Sequence, residues 1–134
     1  MSKVIQHSFK RGMSFDERGW NLKSLFYLEK FIGERIKDFH LVYSEPGRVR
    51  ANHLHKIQKE WLFVFGGRAL FVWKDARGRL RKKKINEKDY ILFEIWPNTP
   101  HALKNTSRKG VYVLALTNRR YNPKNPDKVD VKLL

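Results

Sequence analysis

The sequence predicts an all-β protein built as a sandwich or a barrel. Seven short segments rich in β-branched or aromatic residues follow one another between residues 39 and 116, and most of the connections between them contain glycine, proline or asparagine. Evenly spaced strands with turn residues between them are typical of sandwiches and barrels. We expect a single domain over residues 1–134, since a chain of this length can bury a core of its own.

The elements can be placed in chain order. The segment Leu22–Phe39 is ambiguous, because its apolar residues fit both helical and alternating spacing and Gly33 interrupts either pattern. The seven predicted strands are Phe39–Ser44, Val49–His55, Glu60–Phe65, Ala69–Lys74, Tyr90–Ile95, His101–Asn105 and Val111–Leu116.

One stretch, Arg77–Lys84, is strongly basic. The residues Asp75–Gly78 have turn composition and would join Ala69–Lys74 to a further strand at Leu80–Ile85. We therefore predict a hairpin with solvated basic side chains. The alternative is a phosphate-binding arm, but the stretch lacks the interleaved aromatic residues of single-strand binders.

The strands Glu60–Phe65 and Ala69–Lys74 are apolar on both faces. In the first of them Leu62 shares the face of Glu60, whereas Trp61 and Phe63 point the other way. A strand of this kind needs cover on both sides. We expect the outer face to lie under the N-terminal segment or a second subunit, and we predict a homodimer.

Composition limits the kind of partner and of metal ligand. Lysine and arginine number 29 against 13 acidic residues, a net charge of +16 that favours anionic partners. No nucleic-acid recognition motif is present, so nucleic acid is not the expected partner. With no cysteine, any metal must be held by imidazole and carboxylate. No apolar run is long enough for a signal peptide or a membrane span, so we expect a soluble cytoplasmic protein without a membrane partner.

Three histidines and a glutamate are spaced for one site. His53 and His55 stand at i and i+2 on a predicted strand, so both project from the same face. We expect a short turn to bring Glu60 back on the antiparallel neighbouring strand, and His101 can supply a fourth group. The other two histidines, His7 and His40, are interpreted as structural or surface residues.

The residues around this set resemble a known superfamily. The segment Gly47–Gly67 matches the first sequence motif of the cupins, and Pro97–Asn105 resembles the second. The resemblance implies a cupin-type double-stranded β-helix, or jelly-roll barrel. It also implies a divalent transition metal such as Zn, Mn, Fe or Ni inside the barrel. The implied metal ligands are His53, His55, Glu60 and His101.

The flanking segments resemble enzymes that act on nucleotide-linked sugars. Phe15–Gly19 resembles a segment near the start of dTDP-4-dehydrorhamnose 3,5-epimerases and dTDP-sugar 3,4-ketoisomerases. Arg50–His55 and Thr117–Asp127 resemble the cupin domain of capsular-polysaccharide epimerase proteins. The resemblance implies an epimerase or isomerase of a nucleotide-linked 4-keto sugar in surface-polysaccharide biosynthesis. The expected partner is a nucleotide sugar or another anionic small molecule.

Two roles for His53 stay open, because the matching histidine is the base in the epimerases and a ligand in metal cupins. The predicted substrate-binding residues are Arg48, Arg50, Asn52, Asn105 and Arg119. A guanidinium group matches a diphosphate in bidentate geometry, which favours the arginines. Strand alternation places Arg50 and Asn52 on the face opposite His53 unless the strand bulges.

Two other functions are compatible with the same residues. One is a metal-dependent cupin dioxygenase or decarboxylase, which would bind iron or manganese. The other is a non-enzymatic sugar-binding cupin, because one fold and one ligand set host many functions.

Overall fold

The computed structural model describes residues 1–134, which form two five-stranded sheets, a small hairpin and one short α-helix. The strands are β1 (Val4–Ser8), β2 (Met13–Asp16), β3 (Gly19–Leu22), β4 (Asp38–Ser44), β5 (Val49–Leu54), β6 (Glu60–Phe65), β7 (Ala69–Lys74), β8 (Leu80–Ile85), β9 (Ile91–Ile95), β10 (His101–Asn105), β11 (Val111–Thr117) and β12 (Val129–Asp130), and the helix is α1 (Leu25–Ile32). No helix has the length and apolar character needed to cross a membrane.

The first sheet has the strand order β1-β9-β6-β11-β4, and the second has the order β12-β5-β10-β7-β8. All pairs of neighbouring strands in both sheets are antiparallel. Apolar side chains from both sheets meet between them in one cluster. The predicted all-β fold, a cupin-type jelly-roll barrel, is confirmed by this arrangement.

The seven predicted strands are all present, with bounds that agree to within one residue. The predicted hairpin joins β7 to β8 with Lys74 paired to Leu80. The ambiguous segment contains α1, which ends at Gly33 in the left-handed conformation with φ of 76°, a conformation that favours glycine. The strands β1, β2, β3 and β12 were not predicted.

The expectation that Glu60 lies on the strand next to the histidine pair is wrong. The strand β5 pairs with β10 and β12, whereas β6 pairs with β9 and β11 in the opposite sheet. The chain crosses from one sheet to the other between His55 and Glu60. The carboxylate therefore approaches the histidines across the interior of the barrel.

Each face of the first sheet contributes to a separate apolar cluster. The inner core fills the barrel and includes Leu62 and Val64 of β6. The outer core holds Trp61 and Phe63 against residues of the N-terminal segment such as Phe9. Burial of each such large side chain is worth about 1.5–3 kcal/mol. Of the two covers expected for this face, the N-terminal segment is the one observed over β6.

Candidate active site

The three histidines meet where β5 and β10 run side by side. His53 lies directly opposite His101 in the pairing of these strands, and their ring centroids are 4.9 Å apart. The rings of His53 and His55 are 4.7 Å apart. One potential ligand atom from each histidine and one from Glu60 all lie within 4.8 Å of one another. The four residues predicted as metal ligands are therefore together in the structure.

A bulge in β5 shapes this site. The register shifts after the pair His101 and His53, because Ala102 pairs with Ala51 and leaves Asn52 without an opposite residue. Ala51 and Asn52 adopt φ of 66° and 54°. A left-handed conformation at a residue other than glycine costs on the order of 1–3 kcal/mol and is concentrated at functional sites.

The bulge decides where Arg50 lies. Without it, alternation would direct Arg50 away from His53, whereas the structure places both beside the same inner cavity. The guanidinium group donates hydrogen bonds to Ser44 Oγ at 2.9 Å and to the Tyr43 carbonyl oxygen at 2.7 Å. Arg50 thus ties β5 to β4 of the opposite sheet while lining the cavity.

Two hydrogen bonds fix which nitrogen of each histidine faces the site. His55 Nδ1 donates to the Asp127 carbonyl oxygen at 2.6 Å, and His101 Nδ1 donates to the Thr99 carbonyl oxygen at 2.8 Å. A carbonyl oxygen only accepts, so the proton of each neutral ring must be on Nδ1. The Nε2 lone pairs of both rings are directed into the site.

Glu60 is the acidic member of the cluster and is only 4% exposed. Its carboxylate oxygens lie 3.5 Å from His55 Nε2 and 3.4 Å from His101 Nε2, which is long for a hydrogen bond. Both Nε2 atoms are buried and have no hydrogen-bond partner. Unsatisfied nitrogens beside a carboxylate fit a divalent metal, so His53, His55, Glu60 and His101 form a suitable donor set for one.

The protonation states follow from burial and from the neighbouring charges. Burial raises the pKa of Glu60, but interactions with His101 and His55 outweigh it, and the pKa lies below its ordinary value. Burial and the charges of His101 and His55 lower the pKa of His53 to about 4. Burial lowers the pKa of His55, but Glu60 and the Asp127 carbonyl reverse the effect and raise it. His53 is therefore a neutral imidazole near pH 7, able to accept a proton or to bind a metal.

The site lies where two cavities meet. The outer cavity of about 620 Å³ opens beside His53, His55 and Glu60, and Arg119 and Lys128 lie on its wall. The inner cavity of about 190 Å³ continues into the barrel and also contacts His53 and Glu60. The outer cavity has the size of a small-molecule site.

The other predicted substrate-binding residues are divided between the cavities and the scaffold. Arg119 and Arg50 line the cavities. The Asn52 side chain instead bonds to the backbone of Leu133 and Leu134.

Asn105 is buried and bonds to backbone carbonyl oxygens of Ser44 and Lys109. Arg48 is exposed and contacts neither cavity. The side chains of Asn52 and Asn105 thus hold the scaffold, and the role of all three residues in substrate binding stays a prediction.

His40 was interpreted as structural or surface, yet it lines both cavities. The alternation of side chains along β4 indicates this position, because His40 shares a face with Val42, which packs against the inner core. The outer cavity is also lined by Tyr121, Asp127 and Lys128 of the C-terminal segment. Tyr121 and Asp127 lie in the segment Thr117–Asp127, whose resemblance to epimerase proteins was the one signal for them, and none of the three was predicted as a site residue.

Similar folds occur among solved structures. The chain resembles the QdtA 3,4-ketoisomerase of Thermoanaerobacterium thermosaccharolyticum in complex with TDP, with a TM-score of 0.75, 18% identity and coverage of 94% of this chain and 86% of that chain. For the dTDP-4-dehydrorhamnose 3,5-epimerase of Sulfolobus tokodaii the values are 0.71, 24%, 90% and 73%. For the capsular polysaccharide assembling protein CapF of Staphylococcus aureus they are 0.68, 18%, 90% and 32%, so the chain spans about a third of CapF. At these identities the likeness shows the fold alone.

Sequence comparison identifies the family. A search of curated proteins found no match. The family model described as the polysaccharide biosynthesis C-terminal domain matches residues 16–129, which is most of the chain. This protein therefore belongs to the polysaccharide biosynthesis C-terminal domain family.

Proposed function

We propose that the chain is an epimerase or isomerase of a nucleotide-linked 4-keto sugar in surface-polysaccharide biosynthesis. The observation that carries the proposal is His53, an imidazole held at the junction of two cavities beside a buried carboxylate. The family and the folds of QdtA and the 3,5-epimerase support the same chemistry.

The reaction requires removal of a proton from the carbon next to the sugar carbonyl. In the proposed mechanism His53 accepts that proton. Delivery of a proton to the opposite face of the same carbon yields the epimer, whereas delivery to the former carbonyl carbon, with the hydroxyl proton passing to the former carbonyl oxygen, yields the isomer. The pKa of His53, lowered to about 4, keeps the ring unprotonated near neutral pH but makes it a weaker base than a free imidazole, so the proposed role rests on its position beside both cavities. The enolate oxygen needs a positive group, and Arg50 in the inner cavity is one candidate.

The nucleotide part of the substrate belongs in the outer cavity. Arg119 and Lys128 lie on its wall, and their positive charge suits a diphosphate. QdtA, which shares the fold, was crystallised with TDP. We therefore assign the diphosphate to Arg119 and Lys128 and the sugar to the neighbourhood of His53.

A bound metal would change the roles of the histidines. Held by His53, His55, Glu60 and His101, a divalent ion would act as a Lewis acid toward the sugar carbonyl. His53 would then be a ligand, and His40, which lines both cavities, would be the imidazole left to accept the proton. The four-residue cluster also favours a second candidate function, a metal-dependent dioxygenase or decarboxylase.

The proposal is tested by solvent exchange. The protein is incubated with dTDP- and UDP-linked 4-keto sugars in deuterated water, and we expect deuterium to enter C3 or C5 of the sugar for an epimerase and C4 of the product for an isomerase. The absence of exchange with every such sugar would refute the epimerase or isomerase. Metal analysis and oxygen uptake then test the second candidate, which predicts bound iron or manganese.

We also propose that the protein forms a homodimer through the outer face of β4. The N-terminal segment leaves an apolar patch uncovered there, formed by Phe39, Leu41, Tyr43 and Tyr112, which are 67%, 60%, 43% and 40% exposed. The strand β4 is at the edge of its sheet, where pairing with a second copy is possible. Sedimentation should give a dimer that Leu41→Asp converts to monomer, and a monomeric wild type would refute the proposal.

A further inference from the structure

The last residues of the chain run along the edge of the second sheet beside the site. Val129 and Asp130 form β12, which pairs with Leu54 and His53 of β5. Farther on, Val131 N donates to the Asn52 carbonyl oxygen at 2.9 Å. We call residues 125–134 the clasp, because they are held to β5 along most of their length.

Asp127 joins the clasp to the loop after β5 by hydrogen bonds. Its Oδ1 accepts hydrogen bonds from the backbone N–H groups of Lys56 at 2.9 Å and Ile57 at 3.1 Å. Its Oδ2 accepts from Ile57 at 2.9 Å and from Gln58 at 2.8 Å. One carboxylate thus satisfies three successive amides of the chain that connects His55 to Glu60.

The backbone carbonyl of the same residue reaches the site directly. It accepts the hydrogen bond from His55 Nδ1 at 2.6 Å. The side chain anchors the loop, and the main chain orients the imidazole next to it. Because the carbonyl can only accept, this contact allows the Nδ1–H form of the ring and excludes a neutral ring with its proton on Nε2.

We propose that Asp127 is a positioning residue, which holds the clasp in place so that its carbonyl fixes the tautomer and the orientation of His55. Asp127 does more than anchor a loop, because it lines the outer cavity beside the histidines, as does Lys128. Without the carboxylate the carbonyl is no longer held opposite Nδ1, and the Nε2 lone pair is no longer directed at Glu60. Groups that orient ligands in this way typically change metal affinity or activity 10–100-fold when removed, which is about the effect expected here.

The test compares Asp127→Asn with Asp130→Asn. Both replace a carboxylate of the clasp by an amide, but Asp130 is exposed and its nearest cation is Lys128 at 3.7 Å. The amide at position 127 keeps one acceptor oxygen and turns an NH₂ group toward the backbone donors. Long-range proton–nitrogen NMR spectra of the metal-free proteins, taken at alkaline pH where the rings are neutral, report which nitrogen of His55 is protonated.

We expect a single Nδ1–H tautomer for His55 in the wild type and in Asp130→Asn, and a mixture in Asp127→Asn. Zinc titration should give a dissociation constant about 10–100-fold weaker for Asp127→Asn alone. A pure Nδ1–H tautomer in folded Asp127→Asn would overturn the proposal. So would an Nε2–H tautomer in the wild type, a result that requires no variant to fold. The NMR measurement uses no substrate, so it stands or fails independently of the proposed sugar chemistry.

Discussion

Two buried glutamates lie on neighbouring strands of one sheet, and each has a histidine partner, yet their surroundings differ. Glu60 of β6 faces the interior of the barrel and meets His55 and His101. Glu94 of β9 faces the outside, where it accepts a hydrogen bond from Trp96 Nε1 at 2.6 Å and lies 3.1 Å from His7 Nε2. The sheet thus carries one carboxylate–histidine cluster on each of its faces.

The two clusters differ in whether the polar groups at each glutamate have hydrogen-bond partners. Both oxygens of Glu94 have close partners, and neither cavity reaches that residue. The Nε2 atoms opposite Glu60 have no hydrogen-bond partner, and Glu60 contacts both cavities. Buried polar groups are normally paired, so unpaired ones beside a cavity indicate a site that a metal or a substrate completes. We interpret the outer cluster as structural and the inner one as functional.

The largest expected effect is on the rate of deuterium exchange, which should depend on the histidine of the inner cluster and not on that of the outer cluster. His53→Ala removes the proposed base and should lower the rate of deuterium exchange about 10²–10⁴-fold. His7→Ala changes a group on the outer face and should leave that rate unchanged. Both variants are assayed after their unfolding midpoints show that they are folded. Equal losses of rate in the two variants would abolish the distinction between the clusters.

A second effect concerns the carboxylates themselves. Glu60→Gln keeps the size of the side chain but removes the charge that faces His55 and His101. We expect zinc affinity, measured by calorimetric titration, to fall by at least about 10–100-fold, the loss found even for residues that only orient ligands. Glu94→Gln is the matched control and should bind zinc as the wild type does. The assignment of Glu60 as a ligand would be wrong if the two variants bound zinc equally.

Local patterns were sufficient for the strands between residues 38 and 117 and for the choice of the four donor residues. The alternation of apolar residues locates β6 and β7, and the spacing of His53 and His55 places both rings on one face. These inferences depend only on residues close together in the chain. Local alternation also placed His40 beside Val42, but a lone histidine on a strand carries no mark of function until the cavity is seen.

Local patterns could not predict which strands pair with partners far away in the sequence. The turn between β5 and β6 resembles a hairpin in sequence, but the chain crosses between sheets there, because each strand finds partners far away in the sequence. The bulge at Ala51 and Asn52 depends on β10, and it alone brings Arg50 beside His53. The contact of Asp127 with His55 likewise joins residues far apart in the chain. These long-range contacts cannot be predicted from composition or from the spacing of residues along the chain.

A smaller effect is expected from the structural cluster. Glu94→Gln replaces a charged acceptor that is 9% exposed by a neutral one. Because hydrogen bonds to a charged group are stronger than those to a neutral group, the free energy of unfolding should fall by about 1–2 kcal/mol. Urea denaturation measures this change, and the exchange rate of the same variant should equal that of the wild type. A stability equal to that of the wild type would show that the outer cluster contributes nothing as a charged group.

The smallest expected effect is the pH dependence of the difference in free energy of unfolding between the wild type and Glu94→Gln. Burial raises the pKa of Glu94, but Trp96, His7 and the charge of Lys59 together lower it below the ordinary value of 4.5. A carboxyl whose pKa is lower in the folded state than in the unfolded state stabilises the fold above the unfolded pKa, and this stabilisation is lost as the pH falls through the folded pKa.

The stability difference between wild type and Glu94→Gln should therefore be constant near neutral pH and begin to shrink as the pH approaches 4.5. Urea denaturation at a series of pH values measures it, with His7→Ala as a second background. In that background the decrease should be shallower, because one of the groups that lower the pKa is gone. A difference that persists unchanged into acid would mean that the bonds to Glu94 do not depend on its charge, and the outer cluster would then be a packing contact rather than an ionic one.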